Sequence, residues 1–190
     1  MTLTVIITTT VIALAVALFA FRAIPAVRAY FTYRGKRLVI CPETHETVAV
    51  DVNAKEAAEG AFLSEPTLRL STCTRWPERQ DCGQDCLKQI DADPANCLVW
   101  NIVSKWYDGK SCVFCHKAIG PLHHLENVPA LLGPDFKTIE WMEIRPEQLP
   151  GVFSTHQPVC WNCHVTESFR RMHPELVTDR KLEPKRMHML

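Results

Sequence analysis

The longest apolar run of the chain lies at its N-terminus, ahead of a more polar, cysteine-rich remainder. Residues 3–21 contain no charged side chain and are mainly Val, Ile, Ala, Leu and Phe, with four threonines. About 20 apolar residues are enough for a helix to cross a bilayer. A cleaved secretory signal normally opens with positive charge, which the first residues here lack. The pattern therefore predicts a retained single-span membrane anchor, with its interface segment, over residues 1–33.

Beyond the anchor, the spacing of apolar residues predicts short strands and helices. Alternating or apolar segments indicate strands over residues 38–40, 47–52, 68–71 and 137–144. Helical spacing, with Asn53 and Asp93 as N-caps, indicates helices over residues 54–61, 94–107 and 165–172. Cys82 and Cys86 are four residues apart, so on a helix they would share one face.

These elements predict an α+β fold: one N-terminal transmembrane helix followed by a small cysteine-rich soluble domain. That domain consists mostly of short helices and loops with a few strands. Residues 34–108 form a cysteine-rich subdomain, residues 109–180 a subdomain with two CxxCH motifs, and residues 181–190 a polar tail.

The charged residues indicate on which side of the membrane the soluble part lies and which partners it does not bind. The 21 basic and 21 acidic residues balance, which argues against a nucleic-acid surface. The positive-inside rule predicts a cytoplasmic soluble part, because five basic residues follow the apolar run: Arg22, Arg28, Arg34, Lys36 and Arg37.

Nine cysteines in 190 residues imply disulfides, metal, haem or a mixture of these. Four of them form two CxxCH pentapeptides, Cys112-Val113-Phe114-Cys115-His116 and Cys160-Trp161-Asn162-Cys163-His164. This spacing is the attachment signature of c-type haem, in which both thiolates bind the porphyrin and the histidine is the proximal iron ligand. Both CxxC pairs are followed by histidine, although only 8 of the 190 residues are histidine.

The anchor and the two pentapeptides resemble membrane-anchored multihaem c-type cytochromes, in particular dihaem electron-relay subunits. The resemblance implies two haem c groups, each held by the two cysteines and the histidine of one pentapeptide. It implies distal ligands from a set of side chains near the motifs: His123, His124, His156, His173 and Met172. Such a protein would carry electrons within a larger membrane redox complex, its partners being other subunits of that complex, and it would not be an enzyme by itself.

The haem interpretation conflicts with the charge rule, because haem c is attached on the periplasmic side of the membrane. It also leaves five further cysteines, Cys41, Cys73, Cys82, Cys86 and Cys97. In an oxidising compartment these would mostly pair as disulfides, with one left over.

A zinc site is the competing interpretation of the same cysteines. Two CxxC pairs are also a four-thiolate framework for Cys112, Cys115, Cys160 and Cys163. A knuckle, a strand-like middle and a CxxC at a helix start resemble a treble-clef zinc finger, although that knuckle usually has glycine where His116 stands. Further cysteines could form a second zinc site or an iron–sulfur cluster: Cys41, Cys73, Cys82 and Cys86. The protein would then be a membrane-tethered structural or interaction module facing the cytoplasm.

Enzymatic chemistry has little support in the sequence. It contains no Ser-His-Asp spacing, phosphate-binding loop or HExxH motif. The sequence therefore predicts no catalytic residues.

Overall fold

The computed structural model describes residues 2–79, 81–123 and 128–177. It divides the chain into two compact units, Met1–Val99 and Trp100–Leu190. The predicted α+β class is confirmed, with one long apolar N-terminal helix ahead of short helices and a few strands. The predicted polar tail, residues 181–190, lies outside the described residues.

The first helix, α1 (Thr2–Tyr33), is long and apolar enough to cross a membrane. The apolar side chains of its first two thirds are exposed. Its threonine hydroxyls donate to main-chain carbonyls one turn back, as Thr10 does to Ile6 at 2.8 Å. These hydrogen bonds satisfy the hydroxyls within the helix itself, which a lipid environment requires.

The C-terminal part of α1 belongs to the folded core of the first unit. Ala29 and Tyr33 are buried in that core. Further towards the N-terminus, α1 contacts α2 (Ala54–Leu63): the Phe19 and Phe62 rings lie 6.0 Å apart. The helix therefore packs against the rest of its unit.

A three-stranded antiparallel sheet follows, in the order β1 (Lys36–Ile40), β2 (Thr47–Val52) and β3 (Leu70–Cys73). Its buried Val and Leu side chains form the core together with α2. The predicted N-cap of α2 is confirmed, because the Asn53 side chain accepts a hydrogen bond from the Glu56 N–H at 3.2 Å.

Arg37 corrects the count of membrane-flanking charges made from the sequence. Its side chain is fully buried, and its guanidinium donates to the carbonyl oxygens of Thr32 and Pro94. Burial lowers its pKa, although Cys97 and Tyr33 oppose this effect. Arg37 is therefore an internal link between the end of α1 and the segment after β3, rather than a charge facing the membrane surface.

Two helical segments differ from what the sequence pattern indicated. Helix α3 is Leu87–Ala92, so that Cys86 is its N-cap and Cys82 lies in the preceding loop, and the two cysteines do not share a helix face. The helix predicted over 94–107 is divided into α4 (Pro94–Cys97) and α5 (Val99–Tyr107). Leu98 separates them because it is extended and bridges to Arg37, a tertiary contact that outweighs the local helical pattern.

The second unit contains a small antiparallel sheet with β4 (Ala130–Leu132) at its centre. Its neighbours are β5 (Thr138–Glu140) and β6 (Gln157–Val159). The strand predicted over 137–144 is shorter than expected, since the chain turns into a 3-10 helix at Trp141–Glu143.

Helices hold this second sheet in place. The hydroxyl of the buried Tyr107, at the end of α5, donates to the Ala130 carbonyl at 2.9 Å. Helix α6 (Leu149–Thr155) leads into β6, and α7 (Trp161–Met172) begins directly after it. The end of β6 therefore determines where α7 starts, which is also where the second CxxC lies.

Candidate metal centre

The first CxxC forms a tight turn between two short paired segments. Ser111 and Ala118 form an antiparallel bridge on either side of it. Within the turn, the Cys112 N–H donates to the Lys117 carbonyl, and the His116 N–H donates to the Cys112 carbonyl, both at 2.9 Å. His116 has φ of 58°, the left-handed conformation that glycine adopts most easily. This is the position where a zinc knuckle usually has glycine, so the turn has the predicted shape despite the different residue.

The second CxxC lies at the start of α7. Cys160 is the N-cap of this helix and the buried Cys163 lies in its first turn. The positive end of a helix dipole stabilises thiolate charge at such positions. The Val113 N–H donates to the Pro158 carbonyl of β6 at 2.9 Å, and this hydrogen bond brings the knuckle to the strand that leads into α7.

Four sulfurs converge as a result. The Sγ atoms of Cys112, Cys115, Cys160 and Cys163 all lie within 4.8 Å of one another. The Cys115 and Cys160 sulfurs are 3.7 Å apart. A tetrahedral ion with Zn–S bonds of about 2.3 Å separates its sulfurs by about 3.8 Å. The four cysteines could therefore hold one metal ion.

The site is part of the core of the second unit. Cys112 and Cys163 are buried among Phe114, Leu132 and Val159. A metal ion there would crosslink the knuckle, the sheet and α7 from the inside. In a core this small, such a crosslink supplies a large share of the folding free energy.

The ionisation of the four thiols reflects their crowding. Burial raises the pKa of Cys112, but the main-chain N–H groups of Cys115, Cys160 and Phe114 outweigh it and bring that pKa to about 7. Burial, followed by the neighbouring sulfurs, raises the pKa of Cys163. One thiolate is therefore favoured, while further negative charge is opposed until a cation balances it.

The two histidines of the pentapeptides do not join this group of ligand atoms. His164 turns to β5 instead: its Nδ1 lies 2.9 Å from the Thr138 hydroxyl and its Nε2 lies 3.6 Å from the Glu140 carboxylate. His116 completes the knuckle through its backbone conformation. Sequence reasoning missed Thr138 and Glu140, because nothing in their local pattern marks them as partners of His164.

The predicted distal haem ligands are dispersed. His156 ends α6 and contacts the Thr155 hydroxyl at 2.9 Å, whereas His173 ends α7, with its ring 4.9 Å from that of Phe169. Met172 is exposed, and His123 lies beside a groove next to Cys160. His124 lies outside the described residues.

All nine cysteines lie in the described part of the chain, and each is a free thiol. The disulfides expected from the haem interpretation are therefore not formed in this structure. Cys97 is partly buried, and its thiol donates to the Gln89 carbonyl at 3.7 Å. Four others line one cavity of the first unit: Cys41, Cys73, Cys82 and Cys86.

Comparison with known proteins identifies no relative. No protein-family model matches the chain, and neither a curated protein nor a solved structure matches it. The interpretation of this centre therefore depends on its own geometry.

Proposed function

We propose that this protein is a membrane-tethered zinc module, in which Cys112, Cys115, Cys160 and Cys163 bind one Zn²⁺ as a treble-clef-like site. The observation that carries the proposal is the convergence of the four sulfurs within 4.8 Å. Soft thiolate ligands in a closed tetrahedral set are typical of structural zinc. With all four positions taken by protein, the ion has no open position for a substrate, so its role is to stabilise the fold.

A single ion suits this geometry better than a multi-iron cluster. A cluster places its cysteine ligands on different iron atoms, and this separates the sulfurs more widely than one ion does. The 3.7 Å between the Cys115 and Cys160 sulfurs matches the edge of one tetrahedron. Zinc is favoured over a single iron ion because four cysteines in a closed tetrahedral arrangement are the usual ligands of structural zinc.

The proposal includes a retained N-terminal anchor. Phe19 contacts Phe62, and the Arg22 guanidinium donates to the Leu63 carbonyl at 2.9 Å. Cleavage of α1 as a signal would remove these contacts from a folded unit. The anchor therefore supports a single-pass membrane protein.

The soluble part faces the cytoplasm in this proposal. The basic residues near the end of the apolar run that remain exposed support this side under the positive-inside rule: Arg22, Arg28, Arg34 and Lys36. A zinc centre of four thiolates suits a reducing compartment, where cysteines are not paired as disulfides. A reporter fused after Leu190 should be active in its cytoplasmic form, and a periplasmic signal would overturn this orientation.

An exposed apolar stripe on α7 supports a role in binding another protein. Helix α7 exposes Val165, Phe169 and Met172 at helical spacing. Exposed apolar stripes of this kind are typical of surfaces that contact other proteins. A zinc-stabilised scaffold that presents one such helix needs no catalytic residues of its own.

The dihaem cytochrome remains the second candidate function, favoured by the histidine that follows each CxxC pair. It requires each pair to bind a separate porphyrin, with His116 and His164 as iron ligands. The convergent sulfurs and the hydrogen bond of His164 to Thr138 give this arrangement no support.

One experiment separates the two functions. The full chain is expressed in a host with cytochrome c maturation, purified in detergent, and examined by pyridine haemochrome spectroscopy and elemental analysis. We expect zinc and no covalent haem. Covalent haem near two per chain would overturn the zinc proposal, and a brown sample that releases sulfide in acid would replace it with an iron–sulfur centre.

A further inference from the structure

The first unit contains four cysteines that the proposed function does not use. They come from three segments of the chain, and all of them line one cavity of about 50 Å³: Cys41, Cys73, Cys82 and Cys86. Cys86 is buried and the other three are partly buried. Four thiols around one small cavity are the donor set of a thiolate metal site.

The turn that carries Cys41 repeats the turn that carries Cys112. The Cys41 N–H donates to the Glu46 carbonyl at 2.9 Å, and the His45 N–H donates to the Cys41 carbonyl at 2.8 Å. The corresponding bonds of Cys112 connect the same relative positions, at 2.9 Å each. His45 also has the φ of 58° found at His116.

The flanking strands match as well. Ile40 pairs with Thr47 across the first turn, as Ser111 pairs with Ala118 across the second, so both turns contain six residues. Thr44 stands where the second turn has Cys115. The first turn is therefore a knuckle that offers one sulfur instead of two, and a complete site needs three more sulfurs from elsewhere.

The cavity supplies these sulfurs from two further segments. Cys73 ends β3, while Cys82 and Cys86 lie just before α3. The main-chain hydrogen bonds and the positive φ that shape the turn at Cys112 are thus repeated at Cys41.

Positive charge lies where a four-thiolate site needs it. A Zn²⁺ ion with four thiolates has a net charge of about −2, which nearby cations stabilise. Arg75 donates from Nη1 to the Cys41 sulfur at 3.0 Å, and Arg79 lines the same cavity. Trp76 lines it too, and its buried Nε1–H has no hydrogen-bond partner among the described residues. This N–H can donate to a sulfur ligand.

We propose that Cys41, Cys73, Cys82 and Cys86 bind a second Zn²⁺ ion in the first unit. Among the described residues only the other tetrad has its sulfurs within 4.8 Å, so binding draws the second set together. The turn over residues 74–79, which carries Trp76, closes onto the ion. Eight of the nine cysteines are then ligands, and Cys97 is the one structural thiol.

The test is a cobalt titration of the full chain in detergent, after removal of bound metal under reducing conditions. Thiolate-bound Co²⁺ reports its ligands through sulfur-to-metal charge-transfer absorption. We expect two ions per wild-type chain. Cys41→Ser and Cys73→Ser should each lower this to one, and Cys160→Ser should remove the other ion. Cys97→Ser is the matched control and should keep both.

The variants distinguish failure of this proposal from failure of the proposed function. If Cys41→Ser and Cys73→Ser bind as much Co²⁺ as wild type, the second site does not exist. If only these two variants lose metal and Cys160→Ser loses none, the second site stands and the first proposal fails. In Cys160→Ser, where only the second site binds Co²⁺, quenching of tryptophan fluorescence should be lost when Trp76→Phe is added, because Trp161 then has no ion beside it. Quenching that Trp76→Phe leaves unchanged in this background overturns the closure.

Discussion

His164 Nδ1 lies 2.9 Å from the hydroxyl of Thr138, and this pair joins the first turn of α7 to strand β5. Thr138 is buried and His164 is largely so. The histidine of the second CxxCH is thus used to position α7, which carries the cysteines. The same residue would be an iron ligand in a cytochrome, so its substitution separates the two functions.

Replacement of His164 by alanine should destabilise the second unit without removing its metal. Loss of the hydrogen bond leaves the buried Thr138 hydroxyl without this partner and should cost about 1–2 kcal/mol. Thermal unfolding followed by circular dichroism, with zinc content measured in parallel, tests this. Thr138→Ala should reproduce most of the loss. Loss of zinc in His164→Ala would show that the imidazole is a ligand.

Replacement of His116 by glycine should leave the metal bound and keep or raise the stability. His116 has φ of 58°, which costs a side chain about 1 kcal/mol and costs glycine nothing. His116→Val should be destabilising instead, because β-branched residues are strained in this region. Denaturant unfolding of the two variants measures the difference. If His116→Gly loses its zinc, His116 does not act only through its backbone conformation, and its imidazole is a ligand.

Tyr107 should make the second unit sensitive to alkali. Its hydroxyl donates to the Ala130 carbonyl, and burial raises its pKa above the ordinary value of 10.0. A raised folded pKa means that this contribution to stability is fully present below about pH 10 and is lost as the pH rises further. Denaturant unfolding between about pH 8 and about pH 11 should show this loss.

Tyr107→Phe is the matched comparison for the alkaline loss. It removes the hydroxyl and should lower stability by about 1 kcal/mol at neutral pH. It should also show a smaller decline above about pH 10, because the two proteins differ only in the Tyr107 hydroxyl. Equal declines in the two proteins would assign the effect to groups other than Tyr107.

Local sequence patterns predicted what depends on local chemistry. The strands around Cys41, the Asn53 cap and the helix after Cys160 follow from residue periodicity and capping. The sequence also shows the two CxxC pairs, but it could not decide whether both pairs bind the same metal ion. That depends on the pairing of the Val113 N–H with Pro158, a contact across 45 residues.

Other features could not be predicted because long-range contacts produce them. Leu98 interrupts a regular helical pattern only because it bridges to the buried Arg37. The likeness of the two knuckles is hidden in sequence, since Thr44 replaces the second cysteine in one of them. The shared feature is a histidine with positive φ, and residue type alone does not reveal backbone conformation.

Replacement of Arg22 by alanine should loosen the end of α2. The Arg22 guanidinium donates to the carbonyls of Leu63, at 2.9 Å, and Phe62, at 3.4 Å, and a cation at a helix C-terminus stabilises it by about 0.3–1 kcal/mol. Amide hydrogen exchange over residues 60–64 should be several-fold faster in Arg22→Ala in detergent, consistent with that energy.

Two further variants serve as controls. Arg22→Lys should recover part of the protection from exchange. Arg28→Ala changes an exposed arginine of the same helix and should leave the exchange unchanged. Equal exchange in wild type and Arg22→Ala would mean that packing of Phe19 on Phe62 alone holds α2 against the anchor.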